Sequence, residues 1–243
     1  MTATQLTERA VIRLSATDPE ENTRAFLQGL VTNDVTRDLP VYAALLSAQG
    51  KTMFDFIVWD GGHGDVLIDC EAELADELAK RLSLYRLRRA ITIERDDALA
   101  VHWSKEAIGD SVPDPRLPAL GHRWLAASGD GGAADEVWRA HRLLLGVPET
   151  RAELGDILWL ETNAVELGGV SFEKGCYIGQ ENTARMNWRQ KVNRRLVVVP
   201  LGASEEKRRK AAYPDLGLAV DHLRVADLDP ATLPDWQRAG VAA

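Results

Sequence analysis

The run from Leu167 to Glu181 sets Cys176, one of two cysteines in the chain, among four glycines, Lys174, Gln180 and Glu181. Gly175 and Gly179 remove the β-carbon on either side of the thiol, so the backbone there can adopt a positive φ or approach another segment closely. Gln180 onward is helix-compatible, with Glu181 in what would be the first turn, so Cys176 precedes a helix N-terminus. With Lys174 two residues away and Arg185 and Arg189 downstream, this is the electropositive setting that raises thiolate content. Such a thiolate supports nucleophilic attack or metal ligation. The other reading of the same residues is a small buried hydrophobe in a tight turn, since free cysteine packs well in cores.

Further candidates lie outside this run. Thr32, Asn33 and Asp34 are polar side chains able to hydrogen-bond a ligand or, as such clusters more often do, their own backbone. Trp138 offers a flat π surface to a heteroaromatic ligand, or serves as a core tryptophan. Arg185, Arg189, Lys191, Arg194 and Arg195 occur with no acid between Asn182 and Leu201, a positive patch able to meet carboxylates, phosphate or an acidic partner, or simply a solvated face. Asp55 falls on the solvent side of an alternating strand, His63 in a solvated loop, and His141 on a helix as a packed or partly exposed residue.

The elements that must position these groups follow from periodicity. Ala10–Ser15, Val41–Ser47, Met53–Trp59 and Val66–Ile68 read as strands, the second and third joined by a glycine turn at 48–51. A helix begins after Asp18 and Pro19 and stops at Gly29, and Leu74, Leu78 and Leu82 mark an amphipathic helix from Glu71 to about Arg89. Strand character returns at Ile91–Ile93, Ala98–Trp103 and His122–Ala126. Gly129–Gly132 marks a boundary, the next helix runs from Asp135 to Leu145, Leu196–Leu201 and Gly217–Val220 are strand-like, and the end from Asp229 lacks a period.

Composition narrows the classes. The chain has 243 residues, 45% of them hydrophobic, which suffices for a sizeable core. No apolar run reaches the ~18 residues of a membrane span, and the first residues lack a signal-peptide pattern, so a soluble cytoplasmic protein is expected, with no membrane partner. Two cysteines form no disulfide framework, and a metal cluster needs about four ligands, so one chain holds no cluster by cysteine alone and Cys176 could at most be a shared ligand. The net charge of −8 makes direct nucleic-acid binding an unfavoured reading.

The motif Lys174-Gly175-Cys176-Tyr177-Ile178-Gly179-Gln180-Glu181, with Gly168-Gly169 before it, resembles the signature of the YgfZ family, folate-binding proteins related to the glycine cleavage T-protein. Phe26–Val35 and Gln49-Gly50-Lys51 resemble two further family segments. The resemblance implies an α+β fold in three parts: residues 1–47 with 133–195 as a discontinuous folate-binding domain, 48–132 as a ferredoxin-like insert, and 196–243 as a small, reduced β-barrel. It implies tetrahydrofolate or a related folate as cofactor, lying against Trp138, with Asn33, Asp34 and Arg185 as further contacts. Cys176 would be the thiolate, Lys174 its electrostatic partner, Gly175, Tyr177 and Gly179 shaping residues, and Gln180 and Glu181 the groups fixing the turn by hydrogen bonds. The implied role is support for maturation or repair of iron–sulfur enzymes, tRNA-modifying ones included, with assembly proteins or client enzymes as partners. The alternative is a folate-dependent aminomethyltransferase, for which Asp76 is the nearest catalytic carboxylate.

Overall fold

The computed structural model describes residues 3–129, 132–189 and 192–241. In chain order the elements are β1 (Gln5–Leu6), β2 (Arg9–Ala16), α1 (Thr23–Gln28), β3 (Val41–Leu46), β4 (Thr52–Gly62), β5 (Asp65–Glu71), α2 (Ala75–Arg86), β6 (Ile91–Arg95), β7 (Leu99–Ser104), β8 (Val112–Pro113) and β9 (His122–Ala127). They continue with α3 (Asp135–Leu144), α4 (Thr150–Leu154), α5 (Gln180–Trp188), β10 (Arg194–Pro200), β11 (Arg209–Tyr213), β12 (Leu218–Arg224) and α6 (Asp235–Arg238). The fold is mixed α/β.

Alternation along the early strands builds an antiparallel five-stranded sheet of order β3-β4-β5-β2-β6. One face carries Ile12, Leu14, Phe54, Phe56, Val58, Val66 and Ile68 and packs on Phe26 and Leu27 of α1 and Leu78 and Leu82 of α2. Burying each such side chain contributes roughly 1.5–3 kcal/mol. The opposite face carries Val11, Tyr42, Ile57, Trp59 and Leu67, and it too is covered, by Val101 and Trp103 of a second sheet and Trp138 of α3. That second sheet has the order β1-β7-β9-β8.

The covered second face corrects the expectation for Asp55. Alternation does put it opposite Phe54 and Phe56, but that side meets protein, and Asp55 is only 5% exposed. The five-stranded sheet also interleaves β2 and β3 with β4, β5 and β6, so its hydrogen bonds run across the boundary read at residue 47. The start of α1 differs as well. Asn22, whose side chain accepts from the Ala25 amide, is the cap, while Glu21 is held by Arg89 at 2.5 Å in the turn before it.

A layer of ions joins the two sheets. Arg9 binds Asp69 (2.6 Å) and Glu149 (3.0 Å), Arg123 binds Asp69 (2.9 Å) and Asp114 (2.8 Å), and Arg116 binds Asp114 (2.7 Å) and Glu149 (2.9 Å). The pairs close into a ring in which each cation lies between two anions, so charge balances without solvent. Burial opposes the charges, yet the arginines hold Glu149 far below the ordinary carboxylate range.

After residue 192 the described residues form an open three-stranded sheet of order β10-β12-β11, not a closed barrel. Three strands are too few to curl a sheet back on itself. Leu196 and Val220 instead pack on Leu143, Leu154 and Ile157, and the Tyr213 hydroxyl donates to Glu153. The final segment, expected to be irregular, contains α6, whose Gln237 donates to the Leu196 carbonyl at 2.7 Å.

Candidate functional site

Three stretches far apart in sequence meet around Cys176. The Asn33 amide donates to the Gly168 carbonyl (2.7 Å), the Thr32 hydroxyl donates to the Gly169 carbonyl (2.7 Å), and the Ser171 amide donates to the Thr32 carbonyl (3.0 Å). On the other side Gly179, at φ +81°, leads into α5, and a β-carbon there would lie 2.5 Å from the Ser47 carbonyl oxygen. Gly50, at φ +77°, faces it, and Asn182 donates to the Gln49 carbonyl at 2.8 Å. Only glycine permits this combination of positive φ and close approach. Between these two anchors the Cys176 loop stands at the surface.

Cys176 is exposed, and a β-carbon on Gly175 would meet nothing within 4 Å. The buried cysteine is Cys70, whose thiol is pushed up to about 12 by desolvation. Behind the loop, Lys174 turns inward. Its ammonium donates to the carbonyls of Gln28 and Val31, both at 2.5 Å, and lies 4.9 Å from the Tyr177 ring centroid. Burial lowers Lys174 to about 8, with Asp34 and Cys176 pulling the other way. Lys174 therefore remains charged at neutral pH and closes the carbonyl end of α1. Among the described residues, no group of three or more His, Cys, Asp or Glu side chains is placed to hold a metal ion.

The remaining expected residues separate into different places. Asp34 accepts from the Thr36 hydroxyl (2.6 Å) and from Gln28 (3.0 Å), and Asn33 also donates to the Tyr42 carbonyl (2.8 Å), so both serve the local backbone and the loop. Glu181 pairs with Arg185 at 3.0 Å on the exposed side of α5, while Gln180 contributes its backbone amide to the Tyr177 carbonyl at 3.3 Å. The side-chain hydrogen bonds that anchor the segment come from Asn182, to the Gln49 carbonyl, and from Thr32 and Asn33, to the Gly169 and Gly168 carbonyls. The expected basic patch is thinner than its sequence. Arg195 is buried against Glu166 at 2.8 Å and Lys191 lies outside the described residues, leaving Arg185, Arg189 and Arg194. His141 packs 5.4 Å from the Trp103 ring and contacts the Ala119 carbonyl at 3.0 Å.

Trp138 lies in the interior, 5% exposed. The Arg123 guanidinium carbon sits 4.5 Å from its ring centroid and that of Arg116 5.4 Å, while the Trp103 ring lies 5.2 Å away at 59°. Its indole Nε1 has no hydrogen-bond partner among the described residues. At its edge a cleft of about 370 Å³ is lined by residues that include Arg9, Asp135, Arg139, Arg142 and Thr150. Sequence reading missed the ion ring and the buried Asp55. Arginines scattered over 9–123 show no spacing that would have found the ring, because it exists only once two sheets face each other.

No family model matches the chain. The chain is 36% identical over 215 residues to the human mitochondrial iron–sulfur cluster assembly factor IBA57, a match covering 72% of this chain and 60% of that protein. It is 31% identical over 233 residues to the mitochondrial homolog of Neurospora crassa, covering 80% of this chain and 52% of the relative. Against the mouse mitochondrial factor it is 31% identical over 243 residues, covering 82% and 66%. The chain thus spans between about half and two thirds of these curated relatives. Among solved structures, the glycine cleavage system aminomethyltransferase T from Bartonella henselae shares the fold, with a TM-score of 0.66 at 12% identity over 91% of this chain and 78% of that one. The cytoplasmic placement expected from the sequence is overturned, because the named relatives are mitochondrial and point to that compartment. An acidic composition without a long apolar run suits either compartment and does not distinguish them.

Proposed function

We propose, from the premise that the chain belongs to the YgfZ family, that it supports maturation or repair of iron–sulfur enzymes, tRNA-modifying ones among them, by presenting Cys176 to a cluster carried by a partner protein. The observation that carries this reading is the convergence of the three family-like stretches on an exposed thiol, with the Lys174 ammonium fixed behind it. One thiolate supplies one of the about four ligands a cluster needs, so the partner must supply the rest. In the exchange the Cys176 thiol would lose its proton to solvent as its sulfur replaces a solvent ligand on iron, and on transfer a recipient's thiolate would replace that sulfur while Cys176 takes a proton back from solvent. No oxidant or reductant enters. Lys174 holds the base of the loop through the carbonyls of Gln28 and Val31.

An aminomethyl transfer would need a carboxylate beside the reacting nitrogen. Asp76 is exposed on α2, and the buried Asp55 borders a space of about 10 Å³, the scale of a single water at most. Neither fits that role, so a non-enzymatic assembly factor is the better reading. We also read residues 196–243 as a reduced third part of the family arrangement.

The test is complementation of cells lacking their own homologue with wild type, Cys176→Ala and Cys176→Ser, reading an iron–sulfur dehydratase and an iron–sulfur tRNA-modifying activity. Both variants should fold, by circular dichroism, and fail to restore either activity. Full restoration by Cys176→Ala removes the thiol from the mechanism.

A further inference from the structure

We propose that the interior beside Trp138 is filled by the chain's own arginines in place of a folate, and that the protein acts without one. The inference is independent of the role given to Cys176.

A folate bound in a protein needs a flat surface for its pterin, carboxylates or other acceptors for the N–H groups of its 2-amino-pyrimidinone edge, and cations for its glutamate tail. The first two are present here and both are already used. Arg123 and Arg116 lie against the Trp138 ring, and the acceptors nearest to them, Asp69, Asp114 and Glu149, receive their N–H groups. A guanidinium is the same planar N–C–N fragment as the pterin edge. The arginines thus satisfy both the aromatic surface and the acids with the chemistry that a pterin would bring.

They are not poised to move aside. The side chains of Arg116 and Arg123 are 2% and 0% exposed, and each bridges two acids of a closed ring, so withdrawing either strands buried carboxylates. The cleft at the edge of Trp138 offers no alternative seat. Glu8, Glu71, Glu73 and Asp135 line it, while its arginines are engaged within the chain, Arg9 with Asp69 and Glu149, Arg139 with Glu8 and Arg142 with Glu153. A glutamate tail would bring negative charge to a lining that already carries an excess of it.

The experiment is equilibrium dialysis of the full chain against tetrahydrofolate up to about 1 mM, paired with Cys176-dependent activity in complemented cells depleted of folate and supplied with its metabolic products. The expected result is no saturable binding and activity held within about twofold of folate-replete cells. Saturable one-to-one binding, or loss of the activity on depletion, overturns the inference. Failure of Cys176→Ala to abolish activity would sink the thiol reading while leaving the dialysis result untouched, so the two fail separately.

Discussion

Asp55 brings a carboxylate to a layer whose charges already cancel. Arg9, Arg116 and Arg123 are matched by Asp69, Asp114 and Glu149, and Asp55 lies beside them, 5% exposed, with the Tyr42 hydroxyl donating to its Oδ2 at 3.3 Å. Burial is the largest influence on its carboxyl, Arg9 opposes it and Glu149 reinforces it, and the outcome is a rise from 3.8 to about 6. In the unfolded chain the same group ionises normally, so between about pH 4 and pH 6 the native state binds more protons than the unfolded one. Stability from this group is therefore present at low pH and lost as pH rises through the folded pKa. A displacement of about two pKa units corresponds to about 3 kcal/mol. Asp55→Asn keeps the volume and an oxygen acceptor for Tyr42 while removing the charge. At pH 7.5 the variant should be more stable than wild type by up to about 3 kcal/mol, or roughly 6–12 °C for a chain of this size. The gain should fade to nothing near pH 4. Thermal unfolding followed by circular dichroism across that range reads both features. A variant no more stable at pH 7.5, or a gain independent of pH, refutes the argument that an unneeded buried charge is what raises this group.

Other perturbations follow from the same geometry. Glu149→Gln removes an acid from between Arg9 and Arg116 and should cost about 3–5 kcal/mol in chemical denaturation. Because the wild-type Glu149 is held far below 4.5, its contribution should be whole above that pH and be lost only as pH falls well beneath it. Gly179→Ala places a β-carbon 2.5 Å from the Ser47 carbonyl oxygen at φ +81°, and should destabilise by about 1–3 kcal/mol while disturbing the Cys176 loop, read by denaturation and by alkylation of the thiol. Lys174→Met removes the donor to the buried carbonyls of Gln28 and Val31 and should cost about 1–3 kcal/mol, read by chemical denaturation.

The sequence disclosed local matters well and facing matters poorly. Alternation placed the strands of the main sheet, and the Gly-rich run around Cys176 read correctly as a turn ahead of a helix, because both depend on neighbours within a few residues. Asp55 was misjudged because alternation tells which residues share a face and is silent on what covers it. Arg123 and Asp69, 54 positions apart, carry no mark of their contact. The same holds for Trp138, whose aromatic surface is legible in the sequence while the guanidinium lying on it is not. The C-terminal strand β11 begins inside the charged run Glu205–Lys210, at Arg209, and its pairing with β12, not its composition, makes it a strand.

The interior layer and the surface thiol are joined by packing. Arg116 lies 5.5 Å from the Tyr42 ring, the Tyr42 and Trp159 rings are 5.6 Å apart, and the Trp159 indole donates to the Gly169 carbonyl at 3.0 Å. Gly169 admits this contact because a β-carbon there would fall 2.8 Å from Trp159. From Gly169 the chain passes through Ser171, pinned to Thr32, into the loop that carries Cys176. The loop therefore takes its position from the rigid side of the sheet through a tryptophan and a tyrosine, while its tip stays uncovered. That division suits a residue which must be held in place by its own chain yet remain open to a ligand bound mainly by another: a fixed base limits the entropy lost on docking, and an uncovered tip leaves room for the partner's ligands.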